Sequence, residues 1–307
     1  MTTTQNVVAV QGLSHRYGQK QVLRDLDLAI PEGSTYALLG ANGSGKTTLL
    51  RVLAGIERAQ AGSVTLFGDS VRRMTLRQRQ RFCYVAEGQE LPTWMRLEQM
   101  EAYCAPLYPT WDATLAKDLR RRFDLDASQK IGTMSRGQRM KAVLLCALAP
   151  RPRLLLMDEP FTGMDVGVKE ELVRGLLDTS GEHGWTVVVS THDIAEIEMM
   201  VDWVGFLRDG RVEVSAPLEQ LRDGHRRVEF TLASGVSLPP VYPASWLRVE
   251  QAGQRVSVFG RGIGGAAIAQ AISGALLAVD EHEVTLRELY LALSSKGATS
   301  VPSEAVA

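Results

Sequence analysis

Apolar and polar positions change period several times along this chain. Over VVAVQGLSHRYGQKQVLRDLDLAI they alternate in places around a glycine turn, the pattern of strands at a sheet edge. STYALLG is a short unbroken apolar run and predicts a buried strand. From Lys46 the pattern KTTLLRVLAG turns helical and closes at Gly55, which suits a C-cap. GSVTLFG and FCYVAE predict two further strands. The helix RGQRMKAVLLCALA, the strand RLLLMDE, the helix VKEELVRGLLDTSGEH and the strand TVVVSTH then follow one another. Such alternation predicts an α/β sheet core.

Two stretches depart from it. Between about 88 and 134, apolar and charged residues recur at helical spacing, interrupted by Pro106 and Pro109, with DATLAKDLRRRFDL the clearest helix. This predicts a helical insert within a main domain spanning 1–221. Beyond Leu221, RRVEFTL, WLRVEQA and RVSVFG read as short strands, followed by a Gly/Ala-rich helix and a closing helix in TLRELYLALSS. A small α+β appendage over 222–295 is expected, then a polar, frayed tail at 296–307.

Composition narrows the classes. Apolar residues make up 45% and charged residues 22% of 307, ordinary for a folded soluble protein. Lys plus Arg number 34 against 35 Asp plus Glu, so the basic footprint of a nucleic-acid binder is missing. Cys83, Cys104 and Cys146 lack metal-ligand spacing; free thiols in a reducing compartment are expected, with Cys146 in the core. The start MTTTQNVVAVQG has no basic region leading into an apolar one, so no secretion signal is expected. The nearest approach to a spanning helix, IGGAAIAQAISGALLAV, is short and broken by Gln270. Association with a bilayer is therefore expected only through a partner.

Chemistry concentrates after three apolar runs. LLGANGSGKTT carries Gly-x-x-x-x-Gly-Lys-Thr from Gly40 to Thr47, between a predicted strand and a predicted helix. Gly40, Gly43 and Gly45 permit a curved backbone whose N–H groups wrap a phosphate, with Asn42 and Thr48 in the same stretch. Lys46 would bring positive charge to the β and γ phosphates. Thr47 would offer its hydroxyl to Mg²⁺, and the new helix would aim its N-terminus at the anion. In RLLLMDEP two carboxylates arrive together at a strand end, a costly placement for structure alone. Asp158 would hold the Mg²⁺ shell and Glu159 would polarise an attacking water. Pro160 bars helical continuation. In TVVVSTHD, His192 ends another apolar strand, within reach of the same region. Gly264 and Gly265 have no Lys-Thr pair behind them, so a helix cap or close packing is expected there rather than a second phosphate loop.

With these elements in this order, residues 7–220 resemble the nucleotide-binding subunit of ABC transporters, and MSRGQRMK (134–141) resembles that family's signature. The resemblance implies a P-loop NTPase core with an antiparallel β edge subdomain and a helical insert. It implies an ATPase that uses Mg²⁺ and works as a head-to-tail dimer, homomeric or heteromeric, closing on two ATP. Ser135, Gly137 and Gln138 would then approach ATP held by the other subunit. Tyr17 resembles the aromatic that stacks on adenine, and Asp165 the acidic residue that communicates across the dimer; His192 takes a catalytic role beside Glu159 and Lys46.

Two positions depart from the family. Glu87 stands where a glutamine usually contacts Mg²⁺ or water, with Gln89 two residues on as a substitute candidate, and Arg136 stands where glycine is common. ELPTWMRLEQM and LYPTWD resemble the insert of a bacterial subgroup often associated with ABC-2 exporters. This favours export through a separately encoded transmembrane permease, at the cytoplasmic face of the membrane. Trp94, Met95 and Leu97 either line the groove for that partner or pack inside the insert. The rival reading is a soluble ABC-type regulatory ATPase, or a nucleotide-gated module, without transport.

Overall fold

A computed structural model of the chain describes residues 5–272 and 276–294, apart from the side chains of residues 180, 182, 183 and 196. The expected tail at 296–307 lies outside the described residues. The chain divides into two units between Ser215 and Ala216, not after Leu221.

In the first unit, β1 (Asn6–Tyr17) and β2 (Lys20–Pro31) form an antiparallel hairpin. Beside β1 lies β4 (Ala61–Leu66), followed by the short β5 (Asp69–Ser70), in a sheet ordered β2-β1-β4-β5. Its strands bury only alternate stretches, as expected of a sheet with one solvated face.

The second sheet holds β3 (Thr35–Leu39), β6 (Phe82–Val85), β7 (Leu154–Asp158), β8 (Thr186–Thr191), β9 (Trp203–Arg208) and β10 (Arg211–Pro217). Its order is β10-β9-β3-β8-β7-β6, and β9, β3, β8, β7 and β6 run parallel. Strands covered on both faces need unbroken apolar runs, and every residue of β7 and β8 is buried. Because these strands are parallel, the chain leaves β3, β6, β7 and β8 along one edge of the sheet, where ligands of open α/β sheets collect.

Between these strands come α1 (Lys46–Leu53), the one-turn α2 (Leu76–Arg79), α3 (Leu97–Cys104), α4 (Ala113–Arg122), α5 (Arg136–Leu148) and α6 (Val166–His183). The insert contributes α3 and α4, the latter capped by Asp112, whose carboxylate accepts from the Thr114 and Leu115 amides. Leu97, Leu115 and Leu119 of these helices are buried.

The second unit begins with α7 (Leu218–Gly224). It then forms the antiparallel sheet β12-β13-β11-β14 from β11 (His225–Leu232), β12 (Trp246–Ala252), β13 (Arg255–Arg261) and β14 (Leu276–His282). Helix α8 (Gly265–Ile272) buries Ile268 and Ile272 with Val228, Phe230 and Val258 in a separate core, and α9 (Leu286–Leu293) closes the unit. The Gly/Ala-rich stretch is thus not one helix. Leu276 and Leu277 pair with Leu232 and Thr231 of β11, so an available sheet edge overrides the helical composition; residues 273–275 lie outside the described residues. Gly265 packs closely, since a Cβ there would meet the Val279 side chain at 2.8 Å. No helix among the described residues is long and apolar enough to cross a membrane.

Candidate active site

The glycine loop leaves β3 and turns into α1 at Gly45, whose φ of 114° and contact with Leu23 (2.9 Å from an added Cβ) admit only glycine. Gly40 is constrained differently: a Cβ there would lie 2.5 Å from the Leu207 carbonyl oxygen. Gly45 offers no side chain to cap α1, so the first-turn amides carry no side-chain cap and are available to an anion. Lys46 is buried. Its ammonium donates to the Gly40 carbonyl at 2.7 Å and lies 3.2 Å from Glu159 Oε1.

Glu159 is the hub of the site. It follows β7 with a φ of 46°, in the left-handed region that costs a non-glycine residue about 1 kcal/mol. Its amide is held by the Ser190 carbonyl oxygen at 3.0 Å, and its Oε2 lies 2.9 Å from His192 Nδ1 and 3.4 Å from the Thr162 hydroxyl. His192 is 44% exposed and opens this cluster to solvent. Asp158 is fully buried at 0% exposure; its Oδ1 accepts from Ser190 Oγ at 2.6 Å, across the register pair Asp158–Ser190 of β7 and β8. Tyr84 lies near it, and burial first, then the Asp158 charge, raises the phenol's pKa. Asp158 Oδ2 is buried and completes no hydrogen bond of good geometry among the described residues. A buried carboxylate oxygen without a donor suits the water shell of a divalent cation.

The structure therefore brings Gly40, Lys46, Asp158, Glu159 and His192 together along the sheet edge. Ser135, Gly137 and Gln138 stand elsewhere. Ser135 caps α5, its Oγ accepting from the Gln138 amide at 3.1 Å while Gln138 Oε1 accepts from the Ser135 amide at 2.9 Å. Gly137 packs on α6, where an added Cβ would meet Val168 at 2.7 Å, and the Arg136 guanidinium lies over Gly163. No hydrogen bond joins Ser135, Gly137 or Gln138 to residues 40–48 among the described residues. Asp165 is exposed just before α6.

Tyr17 is exposed at the end of β1, edge-on to His15 at 4.8 Å. Asn42 is exposed on the loop, Thr47 half-buried and Thr48 buried in the first turn of α1. Glu87 is exposed beyond β6, whereas Gln89 Oε1 accepts from the Ala86 amide at 3.1 Å and closes its own turn. The insert residues divide: Trp94 is 72% exposed and Leu97 is core. Ser190 was not anticipated as a site residue, although a lone hydroxyl inside the apolar run TVVVST marks it.

Known proteins carry the same elements. The family model described as ABC transporter matches residues 23–162. A solved structure described as the ATP binding subunit of an ABC transporter superposes with a TM-score of 0.64 at 26% identity, covering 71% of this chain and 92% of that one. The chain is 27% identical over 232 residues to the ABC transporter ATP-binding protein YtrB of Bacillus subtilis (strain 168), covering 76% of this chain and 79% of that protein. Sulfate/thiosulfate import ATP-binding proteins of Bacillus cereus are longer, and the chain spans 62% of their length. The aliphatic sulfonates import ATP-binding protein SsuB 2 of Xanthomonas axonopodis pv. citri (strain 306) is 35% identical over 225 residues, which are 72% of this chain and 75% of that protein. Likeness of that degree and extent settles the family: the chain belongs to the ATP-binding subunits of ABC transporters and is an ATPase.

Proposed function

We propose that this subunit hydrolyses ATP in a sandwich dimer and that closure and reopening of the dimer drive a separately encoded transmembrane permease. The observation that carries the reading is the Lys46–Glu159–His192 cluster at the mouth of the glycine loop. A triphosphate in the loop would draw Lys46 from the Glu159 carboxylate, exchanging an intramolecular ion pair for contacts with the β and γ phosphates. The freed carboxylate, oriented by His192, accepts a proton from the attacking water as the γ-phosphoryl is displaced in line. Tyr17 stacks on the adenine, with Asn42, Gly43 and Thr48 beside the phosphates.

Thr47 and Asp158 would hold Mg²⁺, Asp158 through the oxygen that Ser190 leaves open, with Glu87 from the neighbouring strand end. The ion supplies charge neutralisation of the β and γ phosphates when bound. Ser135, Gly137 and Gln138 start α5 on the side of Gly163 and Val168. In the dimer they would meet ATP held by the other subunit, and Asp165 would signal across the junction. Two ATP sites of this kind bind the closed state more tightly than the open one, and that difference in affinity is the mechanical output.

The permease is taken as the partner because relatives are named as import ATP-binding proteins and a similar solved structure as the ATP binding subunit of an ABC transporter. With such a partner, this chain would sit peripherally on the cytoplasmic face of a membrane. Export, expected from the helical insert, has no support in those names.

The test uses Glu159→Gln protein in its native host, trapped with ATP and Mg²⁺ and purified from gently solubilised membranes, with Lys46→Ala as control. A membrane-spanning protein retained only in the trapped form is the expected result. Recovery from the soluble fraction alone, with no such companion, overturns the reading.

A further inference from the structure

Three cysteines far apart in the chain converge on one cavity. Cys83 from β6, Cys104 from the end of α3 and Cys146 from α5 all line a space of about 260 Å³. A buried cysteine usually acts as a small apolar side chain and fills its own niche. These three instead share a void large enough for several waters or a small polar solute. All three are free thiols, and α3 packs against α5 at this point.

Their environments differ. Hydrogen bonding from Cys146 pulls the Cys104 thiol below its ordinary range against the effect of burial, and the same contact, with burial, pushes Cys146 well above it. Cys83 is pushed up to about 12 by burial and hydrogen-bonds Tyr108 rather than either of the other thiols. Two thiols in contact beside a cavity that admits a small polar solute are placed for reversible oxidation, because a sulfenic acid formed on one lies within reach of the other.

We propose that Cys104 and Cys146 form a dithiol that hydroperoxides oxidise, and that the resulting disulfide staples α3 to α5 and slows ATP turnover. The Cys104 thiolate attacks one peroxide oxygen. The O–O bond breaks, one water (or alcohol) leaves with the proton that the Cys104 thiol gave up, and Cys104 becomes a sulfenic acid. The Cys146 sulfur then attacks the Cys104 sulfur; the S–O bond breaks and a second water carries away the hydroxyl and the Cys146 proton. The two thiols lose two electrons, which reduce the peroxide. Because α5 opens with Ser135, Gly137 and Gln138, a covalent tie from the insert to α5 fixes where those residues can move.

The full chain is treated with hydrogen peroxide, then assayed for free thiols, disulfide-linked peptides and ATP turnover, before and after dithiothreitol. Expected are loss of two of the three thiols, one Cys104–Cys146 linked peptide, and a several-fold fall in turnover that dithiothreitol reverses. Cys83→Ser should respond as the wild type does, whereas Cys104→Ser and Cys146→Ser should form no linked peptide and keep their turnover. The proposal is overturned by unchanged thiols, by a linked peptide containing Cys83, by losses that dithiothreitol does not restore, or by a linked peptide with unchanged turnover. Thiol mapping on the wild type decides even where a variant folds poorly.

Discussion

Glu159 combines a strained backbone with the contacts that hold Lys46 and His192, and the two contributions can be separated by substitution. Replacing it by glutamine keeps the shape and removes the proton acceptor. Phosphate release should fall at least ~100-fold while binding of a fluorescent ATP analogue persists. Unchanged release would remove Glu159 from the chemistry. Glu159→Gly and Glu159→Ala both delete the carboxylate, but only glycine is at ease at a φ of 46°. The glycine variant should therefore be the more stable in urea by about 1 kcal/mol. Equal midpoints would mean that the left-handed conformation is not retained in solution.

At the scale of elements, helix starts are handled in two opposite ways. Ser135 closes α5 with a reciprocal capping box, satisfying its first amides internally. Gly45 leaves those of α1 uncapped. Ser135→Ala should cost about 1 kcal/mol of stability by urea unfolding, and a cost near zero would show that α5 does not depend on this cap. The junction of α7 and β11 carries a buried titratable group. His225 Nδ1 lies 2.7 Å from the Leu221 carbonyl oxygen, its Nε2 has no hydrogen-bond partner among the described residues, and burial lowers its pKa below the ordinary 6.5. The unfolded chain therefore binds the proton first. The stabilisation is complete above that ordinary value and is lost as pH falls through the window down to the lowered one. Calorimetric scans should show wild type losing stability on acidification through this window more steeply than His225→Gln. Parallel losses in the two proteins would exclude His225 as the cause.

For the whole molecule, the phosphate loop and the Ser135–Gln138 segment belong to one chain but are not joined by hydrogen bonds among the described residues. A second copy can supply the missing contact. Glu159→Gln protein with ATP should double its mass by light scattering, and Lys46→Ala protein should stay monomeric. A trapped variant that remains a monomer with saturating ATP would require a different partner subunit.

What could be read in advance was local. A phosphate loop needs glycines and a lysine at fixed intervals, so Gly40 to Thr47 announced their chemistry before any folding, as did the paired Asp158 and Glu159 behind four apolar residues. The buried strands were equally plain, because parallel strands covered on both faces must be apolar throughout. Contacts between distant segments were not legible. Ser190 meets Asp158 only because β7 and β8 lie in register, Gly137 is small because Val168 crosses it, and the three cysteines meet only where β6, α3 and α5 pack. The fate of Leu276 and Leu277 was likewise decided by β11, whose open edge took a Gly/Ala-rich stretch for a strand. Sequence determined the groups whose spacing is itself the chemistry; tertiary structure decided which remote side chains they touch, since hydrogen-bond geometry and packing are properties of neighbours in space.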